Sequence, residues 1–143
     1  MAKVYKSSLI PAPIERVWEY IRDFNGLPKW FPGVTDSHIE AGMNSGQIGC
    51  VRNFGLGGPR IREQLLTLSD HDHTCTYKMI EGPMPLSNYQ ATVRLSPADS
   101  GRTLAEITSQ FDCPAEHENE LVTLLGNTYQ AAFELVKKNF GSS

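Results

Sequence analysis

Residues 114–140 read PAEHENELVTLLGNTYQAAFELVKKNF, and this run decides the fold. Within it Leu121, Leu124, Leu125, Thr128, Tyr129, Ala132, Phe133, Val136 and Phe140 recur at steps of three and four, a spacing that lays an apolar stripe on one helical face. The boundary signals stand at its ends. Asp112-Cys113-Pro114 opens the helix, and Glu116, Glu118 and Glu120 sit near the positive end of its dipole. Lys137 and Lys138 sit near the negative end, and Gly141 stops it. At ~1.5 Å per residue such a helix is roughly 40 Å long. Its stripe needs a cover, because most helical stability in proteins comes from packing the apolar face. The remaining chain reads mostly as strands, so the cover is a sheet.

Upstream of the helix, a first strand spans 3–10 and ends at Pro11 and Pro13. Pro13 suits the first turn of a helix whose stripe is Ile14, Val17, Trp18 and Ile21. Asn25-Gly26 and Pro28 break that helix, and Leu27 to Pro32 forms a second short helical turn carrying Trp30 and Phe31. Strands are then expected at 34–40, 48–54, 60–68, 74–80, 87–95 and 102–111. Alternation groups Ile48, Cys50, Arg52 and Phe54 on one face, and Ile61, Glu63 and Leu65 on the next strand. It likewise groups Cys75, Tyr77 and Met79; then Tyr89, Ala91, Val93 and Leu95; then Ala105, Ile107, Ser109 and Phe111. Turns rich in Gly, Pro, Asn and Asp separate the strands. The expected architecture is α+β: a curved seven-stranded antiparallel sheet around a long C-terminal helix, with two short helices after strand 1. With 143 residues and neither linker nor repeat, residues 1–143 read as one domain.

Charge and composition exclude several functions. Thirteen basic against 16 acidic residues leave no basic footprint for nucleic acid. No apolar run approaches the ~18 residues of a membrane span, so no integral membrane association is expected. Cys50, Cys75 and Cys113 are scattered and odd in number, reading as reduced thiols of a cytoplasmic protein. The start, Met-Ala-Lys-Val-Tyr-Lys, lacks the apolar core of a secretory signal. Asp70-His71-Asp72-His73 stands where a hairpin must turn, and no second Cys/His pair has zinc spacing, so no metal is expected. No nucleophile elbow, phosphate loop or dinucleotide fingerprint is present, and no cofactor is implied.

The order of elements, with Pro13-Ile14-Glu15-Arg16-Val17-Trp18 after the first strand, resembles the helix-grip superfamily. This group, often called SRPBCC, contains START lipid-transfer domains, the birch-pollen allergen and bacterial polyketide cyclase/dehydrase-like proteins. The most specific part is Leu65 to Asp70 with Tyr77-Lys78-Met79-Ile80-Glu81-Gly82-Pro83-Met84-Pro85-Leu86-Ser87-Asn88-Tyr89, which is similar to bacterial cyclase-like members and, distantly, to plant abscisic-acid receptors. The resemblance implies a cavity between sheet and long helix that opens between two mouth loops, Phe54–Pro59 and Gly82–Leu86. It places Arg52, Glu63, Tyr77, Met79, Tyr89, Ala91 and Ile107 on the cavity side, with Leu125, Tyr129 and Phe133 as the helix wall. Phe54, Leu56, Met84 and Leu86 would complete the ligand-binding set from the loops. At one position the match fails: the receptors hold their ligand's carboxylate with a lysine where this chain has Thr35.

Arg52 and Glu63 are charges on otherwise apolar faces, which is expensive unless they are paired or hydrated. Joined by a short loop, their strands can set the two opposite each other, either as a polar anchor for a ligand or as a brace for the curved sheet. Trp30, Phe31 and Leu56 are candidates for the mouth, whereas the helical spacing of Trp18 makes it core. Gly126, costly inside a helix, marks close packing or room for a ligand. The leading function is binding or transport of a small hydrophobic molecule. The rival is a cyclase or dehydratase with Glu63 as general base and Arg52 or a tyrosine stabilising an enolate. A third is a partner-binding module gated by ligand, and the apolar residues of the mouth loops also suit a homodimer contact.

Overall fold

The computed structural model describes residues 1–141. Its elements run β1 (Ala2–Ile10), α1 (Ile14–Ile21), a 3-10 turn (Leu27–Lys29), β2 (Val34–Ile39), β3 (Val51–Leu56), β4 (Arg60–Ser69), β5 (Thr74–Glu81), β6 (Ser87–Pro97), β7 (Thr103–Asp112) and α2 (Ala115–Asn139). The seven strands form one sheet in the order β1-β7-β6-β5-β4-β3-β2. Every pairing is antiparallel, so β2 to β7 meander and β1 docks beside the last strand. This is the helix-grip arrangement, and α2 makes most of its sheet contacts with β1.

Irregular registers bend the sheet. Shifts fall at Val34/Asp36, Arg62/Glu63, Leu65/Thr67 and Ser87/Gln90, and each extra residue raises the local twist and bend of its strand. On the concave side, alternation holds through these breaks: Ile61, Glu63, Leu65, Cys75, Tyr77, Tyr89, Ala91 and Val93 are all buried. From α2, Leu121, Leu125, Gly126, Tyr129, Ala132, Phe133 and Val136 are buried against that face. No helix among the described residues is long and apolar enough to cross a membrane.

The structure corrects two expectations, at Ile48 and Leu124, and fills in two others, at Gly126 and the Asp70–His73 turn. β3 begins at Val51, and Ile48 is 53% exposed. Gly49, at φ 92°, turns the chain just before Cys50, so Ile48 leaves the alternation although Gly49 N–H still reaches the Leu65 carbonyl at 2.8 Å. Leu124 is 49% exposed, lying at the border of the helical stripe. The role of Gly126 is close packing: a side chain there would meet Lys6 Cε at 3.1 Å and Val4 at 3.9 Å, both on β1. The Asp70–His73 turn is built into the fold, because the Asp70 carboxylate accepts hydrogen bonds from Trp18 Nε1 (2.8 Å) and Arg22 Nε (2.7 Å). His73 then meets Trp18 edge to face at 5.7 Å.

Candidate functional site: a cavity under the long helix

Pairing of β3 with β4 sets Arg52 directly opposite Glu63. Both are buried, at 4% and 5% exposure. Arg52 donates from Nε (3.0 Å) and Nη2 (2.6 Å) to one carboxylate oxygen, Glu63 Oε1, and from Nη1 to the Phe24 carbonyl at 3.2 Å. Its guanidinium carbon also lies 4.1 Å from the Phe24 ring centre, 4.6 Å from that of Tyr77 and 5.7 Å from that of Phe54. Cation and rings attract at these distances. The arginine therefore ties the segment after α1 to the sheet. Burial pushes the Glu63 carboxyl above its ordinary range, with Arg52 pulling against the shift.

Three tyrosines approach the same space. Tyr89 and Tyr129 join hydroxyl to hydroxyl, and Tyr129 donates onward to Ser109 Oγ at 2.9 Å. Burial raises the Tyr77 and Tyr89 hydroxyls well above their usual pKa, and the Tyr129 hydroxyl to about 12. All three stay neutral in the physiological range, fit to exchange hydrogen bonds and unfit to act as bases.

Between these groups and α2 lies a cavity of about 110 Å³. Arg52, Glu63, Tyr77, Tyr89 and Tyr129 supply its polar lining, and Phe54, Ile61, Met79 and Leu125 the buried or half-buried apolar wall. Leu27, Phe31, Leu56, Met84, Leu124 and Thr128 complete it. Phe31, Leu56 and Met84 are half-exposed and Leu124 is exposed, which places the opening between the two mouth loops and the N-terminal half of α2.

Of the residues named from the sequence, Phe31, Arg52, Phe54, Leu56, Glu63, Tyr77, Met79, Met84, Tyr89, Leu125 and Tyr129 line this cavity. Leu86, Ile107 and Phe133 do not. A tight turn, in which Leu86 N–H donates to the Met84 carbonyl at 2.8 Å, sends Leu86 to a surface groove shared with Ile80 and Asn88. Ile107 (2% exposed) and Phe133 (1%) face inward but belong to the solid packing around β7 and α2. Ala91 is buried in the same core and also stays off the cavity wall. Trp30 is buried at 4% and does not reach the mouth, leaving its indole N–H without a partner. Phe54 is 3% exposed, which removes it from any dimer contact. Thr35 is exposed at the bulge in β2, so a lysine there would point away from this cavity.

Sequence reasoning missed Leu27, Ile61, Leu124 and Thr128. Ile61 shares the face of Glu63 by simple alternation, and Leu124 and Thr128 form an i, i+4 row beside Leu125. Those signals were present. Leu27 gave none, since only the tertiary placement of the 3-10 turn brings it in.

A curved antiparallel sheet closed by a long helix over a small apolar chamber with a polar floor defines a helix-grip protein with an internal cavity. The chain belongs to the family described as polyketide cyclase / dehydrase and lipid transport, whose model matches residues 1–141. Among solved structures it is similar to XoxI from Bacillus cereus, with TM-score 0.89 and 27% identity over 98% of this chain and 96% of that one. A protein from Thermobifida fusca aligns with TM-score 0.90 and 26% identity over 99% and 94%. A START superfamily protein from Mycobacterium smegmatis, at 14% identity and TM-score 0.80 over 97% of each chain, shares the fold. The abscisic acid receptors PYL7 and PYL10 of Arabidopsis thaliana are each 28% identical over 62% and 60% of this chain. The chain spans less than half the length of these curated relatives, 42% and 48%.

Proposed function

We propose that this protein binds and carries a small apolar molecule, such as a lipid, isoprenoid, polyketide or aromatic metabolite, in the cavity between sheet and α2. The observation that supports it is a chamber with apolar walls, a few buried polar groups at its floor, and half-exposed apolar side chains at its mouth, the composition of small-molecule sites. Burial would supply the affinity: a ligand removing ~300 Å² of apolar surface from water gains about 7 kcal/mol before association costs. At about 110 Å³ the chamber is smaller than the ~300–1,000 Å³ of typical ligand pockets. Uptake therefore requires the mouth to widen. Gly57 and Gly58, at φ 69° and 122° between β3 and β4 with open space around them, give the loop beside Leu56 that freedom. Native mass spectrometry of protein purified from its own host should show an apolar small molecule retained by the chain. Bare protein in every preparation, together with no response of cavity methyl resonances to apolar probes, would defeat the proposal.

A second reading, catalysis of a cyclase or dehydratase type, draws support from one feature. Glu63 is a carboxylate with its pKa raised by burial and with one oxygen left over from its ion pair, the properties of a general base. Turnover of a polyketide-like substrate, lost in Glu63→Gln, is its test.

A further inference from the structure

Resting on the cavity reading above, we infer that the ligand is uncharged and carries a hydroxyl, alcohol or phenol, seated against Glu63 Oε2 and the Tyr77 hydroxyl. The inference follows from which polar atoms at the cavity are already committed. Arg52, the cavity's cation, places two hydrogen bonds on Glu63 Oε1 and a third on the Phe24 carbonyl, and its faces are covered by the Phe24 and Tyr77 rings. Tyr89 and Tyr129 are bonded to each other and to Ser109. Thr128 donates to the Leu124 carbonyl at 2.8 Å.

Two atoms remain. Glu63 Oε2 and the Tyr77 hydroxyl make no hydrogen bond among the described residues, and both side chains line the cavity. Neither atom is sealed in protein, for among the described residues the fully enclosed, unpartnered side-chain polar atom is Trp30 Nε1. Their remaining surface is thus cavity surface. One is an acceptor only, and the other donates or accepts. Leu65 pairs with Tyr77 and Glu63 with Met79 across β4 and β5, so Glu63 and Tyr77 are diagonal neighbours on one face.

A ligand hydroxyl satisfies both, donating to Oε2 and accepting from Tyr77. An ether or ketone satisfies only Tyr77 and leaves a buried carboxylate oxygen desolvated and unpaired. A ligand carboxylate would lie against Glu63 with the cavity's cation already neutralised, which buries an uncompensated charge.

The test uses three probes with one apolar body: 2-naphthol, 2-methoxynaphthalene and 2-naphthoate, titrated at pH 7 and followed through the Ile61 and Leu125 methyl resonances. The expected order is 2-naphthol tightest, the methyl ether about tenfold weaker, and the carboxylate roughly 100-fold weaker. Tyr77→Phe should weaken 2-naphthol and the ether alike, since each accepts from its hydroxyl, with undiminished binding of both counting against the inference, and Glu63→Gln should narrow the gap between 2-naphthol and 2-naphthoate. If Glu63→Gln does not fold, the Tyr77→Phe comparison decides alone. Equal binding of all three, or preference for 2-naphthoate, overturns the inference and leaves the cavity reading standing. Silence of both methyls toward all three probes overturns the two together.

Discussion

Taking a guanidinium and a carboxylate out of water costs several kcal/mol per ion, and their attraction offsets this only when the geometry is good. Arg52 and Glu63 meet that condition, with side chains 5% and 7% exposed and a closest contact of 2.6 Å. Removing one partner strands the other. Arg52→Met should therefore destabilise the protein by about 3–5 kcal/mol, whereas the double variant Arg52→Met/Glu63→Leu should recover most of that loss. Urea denaturation of the wild type and both variants measures it. A double variant no more stable than Arg52→Met would mean that the cost lies in the lost contacts with Phe24 and the neighbouring rings. The sequence had left open whether this pair anchors a ligand or braces the sheet. Pairing across β3 and β4 was legible from alternation and a short loop, but the Phe24 carbonyl and the Phe24 ring were not, since they come from a segment 28 residues away.

At the scale of elements, the β2–β3–β4 end of the sheet is held by exposed and half-buried ion pairs. Arg62 forks onto Glu40 at 2.7 and 2.8 Å and reaches Glu81 at 3.3 Å, while Arg60 Nη1 contacts Asp36 at 2.8 Å. Hydrogen bonds from Arg62 and Asn53 lower the Glu40 carboxyl from 4.5 to about 2, and Arg60 lowers Asp36. A carboxyl that is more acidic in the folded chain binds fewer protons there than in the unfolded chain. Its contribution is thus complete above the unfolded pKa and lost as pH falls through the folded one. The melting temperature should fall as pH drops from about 4.5 toward 2, and Glu40→Gln should flatten that slope while lowering stability at neutral pH. An unchanged slope would sink this account. Element types were readable because strand alternation and the α2 stripe are strong local periodicities. The start of β3 was not, because Gly49 turns the backbone at a position where Ile48 and Cys50 continue the alternating pattern.

For the molecule as a whole, local pattern told which side chains face the concave side but not which of them remain uncovered. Tyr77 and Ile107 obey the same alternation, as Leu125 and Phe133 obey the same helical stripe. Where α2 crosses the sheet decides that one member of each pair borders empty space and the other is packed solid, and that crossing rests on contacts between chain ends such as Gly126 with Lys6. A cavity left in an otherwise close-packed interior forfeits dispersion contacts along its lining, so its persistence argues for use and filling it should expose the exchange. Leu125 is 6% exposed and projects from α2 into the chamber of about 110 Å³. Leu125→Phe enlarges a side chain toward free volume rather than into packed neighbours, so the overpacking cost of core enlargements should be small. The expected result is a gain of about 1 kcal/mol, some 3–4 °C in melting temperature, together with a loss of at least ~tenfold in affinity for an apolar probe such as 2-naphthol. Calorimetry and the titration followed at the Ile61 methyl read the two effects separately. Stabilisation with undiminished affinity would show that the probe sits elsewhere, and destabilisation with lost affinity would show that the chamber is already as full as the fold allows.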